Sequence, residues 1–124
     1  MTKRVLLIED EANIIQAISY ILSRDGWTVD THADGATAVQ EVARRAPDVV
    51  ILDVMLPNRS GFDILQELRA AEDTKDLPVL MLTARGQKRD RELAERYGAS
   101  KFMTKPFANS EVLEALRGLS GAQA

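Results

Sequence analysis

The chain has 124 residues, 45% apolar and 28% charged, which is enough for one domain with its own core and leaves little room for a second. It has no cysteine and one histidine, so disulfides, thiolate zinc sites, cysteine nucleophiles and two-histidine relays are excluded. The formal net charge of −3 argues against a dedicated nucleic-acid binder, and no apolar run approaches the roughly 18 residues of a spanning helix.

The opening segment, MTKRVLLIEDE, carries two basic residues and then an apolar run too short for a signal peptide. It predicts a first strand over Val5–Ile8. A helix follows over Ala12–Arg24, with Ile14, Ile18, Ile21 and Leu22 on one face, and Gly26 ends it. Trp27–His32 alternates, with Trp27, Val29 and Thr31 opposite Thr28, Asp30 and His32, as an edge strand does. Val39, Val42, Ala43 and Ala46 mark a helix over Gly35–Ala46, stopped by Pro47. Val49–Leu52 is continuously apolar, as a strand buried on both faces is. Leu65 and Leu68 anchor a helix over Gly61–Glu72, and Pro78 precedes a second buried strand, Val79–Leu82. Lys88–Tyr97 is a helix with only a weak apolar face of Leu93, Ala94 and Tyr97, closed by Gly98. Lys101–Thr104 is a polar edge strand, and Val112, Leu116 and Leu119 define the last helix, before a Ser120–Ala124 tail that should fray.

A βα unit repeated five times implies an α/β fold with a doubly wound five-stranded parallel sheet and helices on both faces. Outermost second and fifth strands agree with the order 2-1-3-4-5, one of the two common orders of such sheets. Sites in open parallel sheets form past the carboxyl ends of the strands, near the point where strand order reverses. The first strand ends at Glu9, Asp10 and Glu11, the third at Asp53, the fourth at Thr83 and the fifth at Lys105. With the first and third strands adjacent, Glu9, Asp10 and Asp53 converge. Clustered carboxylates repel unless a cation sits among them, and an all-oxygen ligand set favours a hard ion such as Mg²⁺. Lys105 supplies a point charge for a phosphate and Thr83 a hydroxyl donor, while Ala84 leaves space for an incoming group. Asp53 is then the candidate to form an acyl phosphate by nucleophilic attack, with the metal and Lys105 neutralising the transferring oxygens.

Plainer assignments compete. An acid after an apolar strand, taken alone, is usually a helix cap or a solvated loop residue. The strand VVILD also suits a P-loop protein, but the chain has neither GxxxxGK[ST] nor GxGxxG. His32 is expected at the surface and not as a ligand, Trp27 as edge packing. Lys88, Arg89 and Arg91 alternate with Asp90 and Glu92, as on a solvated helix face.

Glu9-Asp10, Asp53, Thr83-Ala84 and Lys105-Pro106-Phe107, in this order at strand ends, resemble the receiver domain of bacterial two-component response regulators. The resemblance runs from Lys3 to about Leu119 and implies a flavodoxin-like fold. It implies that Asp53 takes a phosphoryl group from a sensor histidine kinase or a histidine phosphotransfer protein. It further implies that Asp10 binds Mg²⁺ directly, Glu9 mainly through water, and Asp53 and the Met55 backbone carbonyl complete the protein's ligands. Thr83 and Lys105 would hold the phosphoryl oxygens, Lys105-Pro106 would be a cis peptide, and Phe102 would be the rotating switch aromatic. The family mechanism is a population shift: the phosphoryl draws Thr83 toward it, Phe102 turns inward, and the face of the fourth helix, fifth strand and fifth helix changes for a downstream partner.

Ser100 and Lys101 stand where many transcription-factor receivers carry acids before the aromatic, which puts dimerisation through that face in doubt and favours a monomer or weak dimer. The expected protein is a cytoplasmic signalling switch over residues 1–124, not a conventional enzyme, with no direct nucleic-acid or membrane contact. It is either a stand-alone receiver of the chemotaxis-regulator kind or the receiver of a longer DNA-binding regulator. A flavin-binding domain would need apolar loops where these are acidic, and a degenerate receiver acting as a scaffold would lack part of the acceptor, metal and phosphate set.

Overall fold

A computed structural model describes residues 3–84 and 88–119. The tail expected to fray, Ser120–Ala124, lies outside the described residues. Strands β1 (Arg4–Ile8), β2 (Thr28–His32), β3 (Val49–Asp53), β4 (Val79–Thr83) and β5 (Lys101–Thr104) form one parallel sheet in the order β2-β1-β3-β4-β5. Between and after them run α1 (Ala12–Arg24), α2 (Ala38–Arg45), α3 (Gly61–Ala70), α4 (Lys88–Arg96) and α5 (Asn109–Leu119). The order is the one the two polar edge strands point to. Leu7 pairs with Thr31 on one side and Ile51 on the other, so β1 and β3 lie side by side at the reversal of strand order.

Strand alternation divides the core into two layers. Leu6, Ile8, Val50, Leu52, Val79 and Met81 face α2, α3 and α4 and pack with Val42, Ile64, Leu65, Leu68 and Ala94. Val5, Leu7, Val49, Ile51, Leu80 and Leu82 face the other way, onto Ile18 and Leu22 of α1 and Val112, Ala115 and Leu116 of α5. β3 and β4 are buried along their whole length, which is why their sequences show no alternation. Each fully buried aliphatic side chain contributes about 1.5–3 kcal/mol relative to exposure, so the three central strands hold the sheet rigid. α4 is the exception among the helices. It buries Ala94 alone among its described residues, in keeping with its weak apolar face.

The structure differs from the sequence-based elements mostly at helix ends. The stretch from Gly35 opens as a 3-10 turn, Gly35–Thr37, because the Asp34 side chain accepts from Ala36 N at 2.9 Å and starts the turn early. α2 ends at Arg45, with Ala46 left-handed at φ 46°, because the residue before proline is driven out of the helical region. α3 stops at Ala70, not Glu72. α5 starts at Asn109, three residues before Val112, where Ala108 N donates to Glu111 Oε1 at 2.7 Å. A polar first turn of this kind is invisible to apolar periodicity. Trp27 precedes β2 and is buried against the α1–α5 layer, while Thr31, expected beside it on the apolar face, is exposed. His32 is half-buried and sits 2.7 Å from Thr37 Oγ1, on the 3-10 turn.

One side chain ties the opposite edge of the sheet together. Arg69, near the end of α3, donates to the carbonyls of Gly98, Thr74, Lys75 and Leu77 at 2.7–3.2 Å, and to Ser100 Oγ at 3.4 Å. Ser100 Oγ also accepts from Val79 N at 3.0 Å. The connections α3–β4 and α4–β5 therefore share one guanidinium.

Candidate functional site

The carboxyl edge of the sheet gathers the residues singled out in the sequence. Glu9, Asp53 and Thr83 are buried, while Asp10 is exposed at the mouth. One carboxylate oxygen each from Glu9, Asp10 and Asp53 falls within 4.8 Å of the others. Alternation decides which side each takes. Glu9 and Asp53 continue the rows of Val5 and Leu7 and of Val49 and Ile51, toward α1 and α5. Asp10 and Thr83 continue the rows of Leu6 and Ile8 and of Val79 and Met81, toward α2, α3 and α4.

Lys105 is on the first side. Its Nζ lies 3.0 Å from Glu9 Oε1, 3.1 Å from Glu11 Oε1 and 3.4 Å from Asp53 Oδ1, with only 9% of the side chain exposed. Lys105 N donates to Thr83 O at 2.7 Å, and the Lys105-Pro106 peptide is cis. Burial works to lower the lysine's pKa, but the surrounding carboxylates of Glu9, Asp53 and Glu11 outweigh it and hold the ammonium charged above its usual range. Burial pushes the Glu9 carboxyl up, against the pull of the Glu11 backbone and of Lys105. Glu9 Oε2 accepts from the backbone N–H of Asp10 and Glu11, at 3.2 and 3.1 Å. Its Oε1 meets Lys105 as an ion pair but is a buried oxygen with no hydrogen bond among the described residues. A crowded set of three carboxylates with no nitrogen or sulfur ligand fits a small hard cation.

Asp53 Oδ1 accepts from Met55 N at 3.3 Å, and the Met55 side chain is 59% exposed. An open cleft of about 790 Å³ continues from here, lined by Asp10, Met55, Arg59, Phe62, Thr83 and Asp90 among others. Its floor is set by α3. Ser60 caps the helix, its Oγ accepting from Phe62 N at 3.1 Å, and Gly61 N donates to Val54 O at 2.9 Å. A Cβ on Gly61 would fall 2.2 Å from the Asp53 carbonyl oxygen, so only glycine lets the helix start this close to the strand end. The loop between them is fastened to the 3-10 turn: Asn58 Nδ2 donates to Asp34 Oδ1 at 2.9 Å and Gly35 N to Pro57 O at 3.1 Å. Asn58 sits at φ 70°, a conformation asparagine tolerates.

Phe102 is half-buried on β5, against the α2–α3–α4 layer. Arg91, expected on a solvated helix face, is exposed but places its guanidinium carbon 5.2 Å from the Phe102 ring centre. The structure thus brings Glu9, Asp10, Asp53, Thr83 and Lys105 to one edge, with Met55 and Ala84 at its rim and Phe102 one strand away. Sequence reasoning did not identify Ser60 and Gly61 as the supports of Asp53, or Glu11 as a partner of Lys105. The glycine next to a capping serine, just past the strand, was the available signal for the first.

A carboxylate cluster that fits a cation lies beside a buried lysine at the carboxyl edge of an open parallel sheet. The chain belongs to the response regulator receiver domain family, whose sequence model matches residues 5–117. It is 40% identical over 116 residues to the transcriptional regulatory protein TrcR of Mycobacterium tuberculosis, covering 94% of this chain and 44% of that one. It is 35% identical over 119 residues to the phosphate regulon transcriptional regulatory protein PhoB of Escherichia coli, covering 96% and 52%. The chain spans about half the length of the curated relatives it matches. Among solved structures it is similar to the receiver domain of the sensor histidine kinase PA1611 of Pseudomonas aeruginosa, which holds a magnesium ion in its active-site cleft, at TM-score 0.89 and 30% identity, covering 98% and 99%. The Vibrio cholerae chemotaxis response regulator CheY4 gives 0.89 and 30%, covering 96% and 99%. The family is one of phospho-acceptor signalling switches.

Proposed function

We propose that the chain, over its whole length, is a receiver that accepts a phosphoryl group on Asp53 from a phosphohistidine of a sensor kinase or phosphotransfer protein. One Asp53 oxygen attacks phosphorus, the phosphorus–nitrogen bond breaks, and the imidazole leaves with the electron pair and takes up a proton. The convergence of Glu9, Asp10 and Asp53 around a 9%-exposed Lys105 carries this reading. Asp10, Asp53 and the Met55 carbonyl would hold Mg²⁺, with Glu9 mainly through water; when bound, the ion neutralises charge on the phosphoryl oxygens. Lys105 then meets the phosphoryl from the α1–α5 side of the sheet and Thr83 from the other, so the group is held from both faces. Thr83 moving toward it would free space behind β4 for Phe102, and the loosely packed α4 would shift with it, changing the α4–β5–α5 face presented to a downstream partner.

The reading makes the protein a cytoplasmic, monomeric or weakly dimeric switch that promotes its own phosphorylation. No helix among the described residues is long and apolar enough to cross a membrane. A DNA-binding regulator containing this receiver is favoured over a stand-alone one by relatives about twice as long. Intact mass after acetyl phosphate and Mg²⁺ tests the chemistry. Wild type should gain one phosphoryl group and Asp53→Asn none. An equal gain in Asp53→Asn would assign the acceptor elsewhere.

A further inference from the structure

Glu11 has no role in the proposed phosphoryl transfer, yet its placement is unusual. It is the residue before the first turn of α1, and its backbone oxygen accepts from Ile15 N at 3.0 Å. That position normally favours serine, threonine, aspartate or asparagine, whose short side chains reach back to the free N–H groups. The Glu11 side chain makes no such bond. It turns instead to the ammonium of Lys105, at 3.1 Å. Glu9, the other glutamate on that lysine, is buried and fixed by two backbone N–H groups, whereas Glu11 is 54% exposed at the rim.

We propose that Glu11 is a positioning residue that holds the Lys105 ammonium from the rim of the site, so that an incoming phosphoryl group must take the lysine from it. This deepens the reading above and rests on it. A phosphoryl on Asp53 needs the N–H groups of Lys105 for its own oxygens. The Glu9 pair lies deep and stays. The Glu11 pair is exposed and is the one that gives way. Glu11 therefore sets the threshold at which the phosphorylated arrangement forms, without touching the phosphoryl itself. Exposed pairs of this kind bias an equilibrium by about twofold to fivefold.

The test is the affinity for beryllofluoride with Mg²⁺, and the KM and maximal rate for acetyl phosphate, in wild type, Glu11→Gln, Lys105→Met and the double variant. Glu11→Gln keeps the backbone bonds and the length of the side chain. It should bind beryllofluoride about twofold to fivefold more tightly and lower KM by the same factor, with the maximal rate little changed. In the Lys105→Met background the substitution should have no effect. A gain that persists undiminished there would mean that Glu11 acts by general charge repulsion of the anion, and would overturn the proposal, as would weaker binding or no change in Glu11→Gln itself. Should Lys105→Met fold poorly, the Lys105 Cε and Nζ shifts in the unphosphorylated protein serve instead: they should move in Glu11→Gln, and unmoved shifts overturn the holding contact. Absence of any Asp53-dependent labelling in wild type would indict the underlying reading and not the role of Glu11.

Discussion

Replacing Gly61 by alanine tests whether close approach of α3 to β3 is what fixes Asp53. The added Cβ would lie 2.2 Å from the Asp53 carbonyl oxygen, 2.9 Å from Val54 Cα and 3.0 Å from the Asp53 carbonyl carbon. All three are backbone atoms, so no rotamer change relieves the contact, and strand end and helix start must part by roughly 0.8 Å in a core that packs without slack. Overpacking of this kind costs up to about 3 kcal/mol, and alanine in place of glycine in a helix returns up to about 1 kcal/mol, leaving a net loss near 2 kcal/mol. For a domain of this size that is a fall in Tm of roughly 6–10 °C. The displaced atoms include those of Asp53, the proposed acceptor. Misplacement by about 1 Å can cost a hundredfold in rate, so labelling of fully folded Gly61→Ala by acetyl phosphate should drop tenfold or more. Urea denaturation and intact-mass kinetics measure the two effects. Gly118, where a Cβ meets no described atom within 4 Å, is the control, and Gly118→Ala should stabilise by up to about 1 kcal/mol. A Gly61→Ala protein within about 0.5 kcal/mol of wild type, with undiminished labelling, would refute the argument.

Two further outcomes follow from side chains away from the site. Arg69→Met should cost about 2–3 kcal/mol in urea denaturation, since it strands several carbonyls at a half-covered edge. Arg69→Lys should recover less than half of that, because one ammonium cannot span acceptors spread over two connections; full recovery by lysine would show the fork geometry to be irrelevant. Glu41 is held at a pKa of about 2 by Arg44 first and Arg45 second, against an ordinary value of 4.5. A depressed carboxyl stabilises the fold above its unfolded value, so the advantage of wild type over Glu41→Gln should be full above pH 4.5 and disappear as pH falls to about 2. A ¹³C titration of Glu41 with an ordinary midpoint would contradict it.

The legible part of this protein is the part written in apolar runs. β1, β3 and β4 announce themselves because both faces are buried, and the acids and hydroxyl of the site are legible because they are the first polar residues after those runs. The edge strands are harder. Asp30 is half-buried with ion pairs to Arg4 and Arg45, and half-buried His32 meets Thr37, while Thr31 is exposed; a hydrophobic alternation does not register polar partners of this kind. The supports of the site are harder still. Arg69 finds main-chain carbonyls, and Gly61 matters for what is missing from it. Neither kind of partner carries a side-chain pattern along the chain.

The split of the site across the two faces of the sheet has a consequence for how such a domain can vary. Glu9, Asp53 and Lys105 reach their places by having one parity along their strands, and Asp10 and Thr83 by having the other. A point substitution removes one member of the set. Gaining or losing a single residue inside β1, β3 or β4 does something different: it carries every later residue of that strand to the opposite face, trading the layer beneath α1 and α5 for the one beneath α2, α3 and α4. Length changes are therefore confined to the connections, and there the tolerance is uneven. The segment from Ala71 to Leu77 answers to Arg69 and the one from Val54 to Ser60 to the clip at Asp34 and Gly35, so each has a span to keep. The sheet counts in twos, and the loops keep the count from being lost.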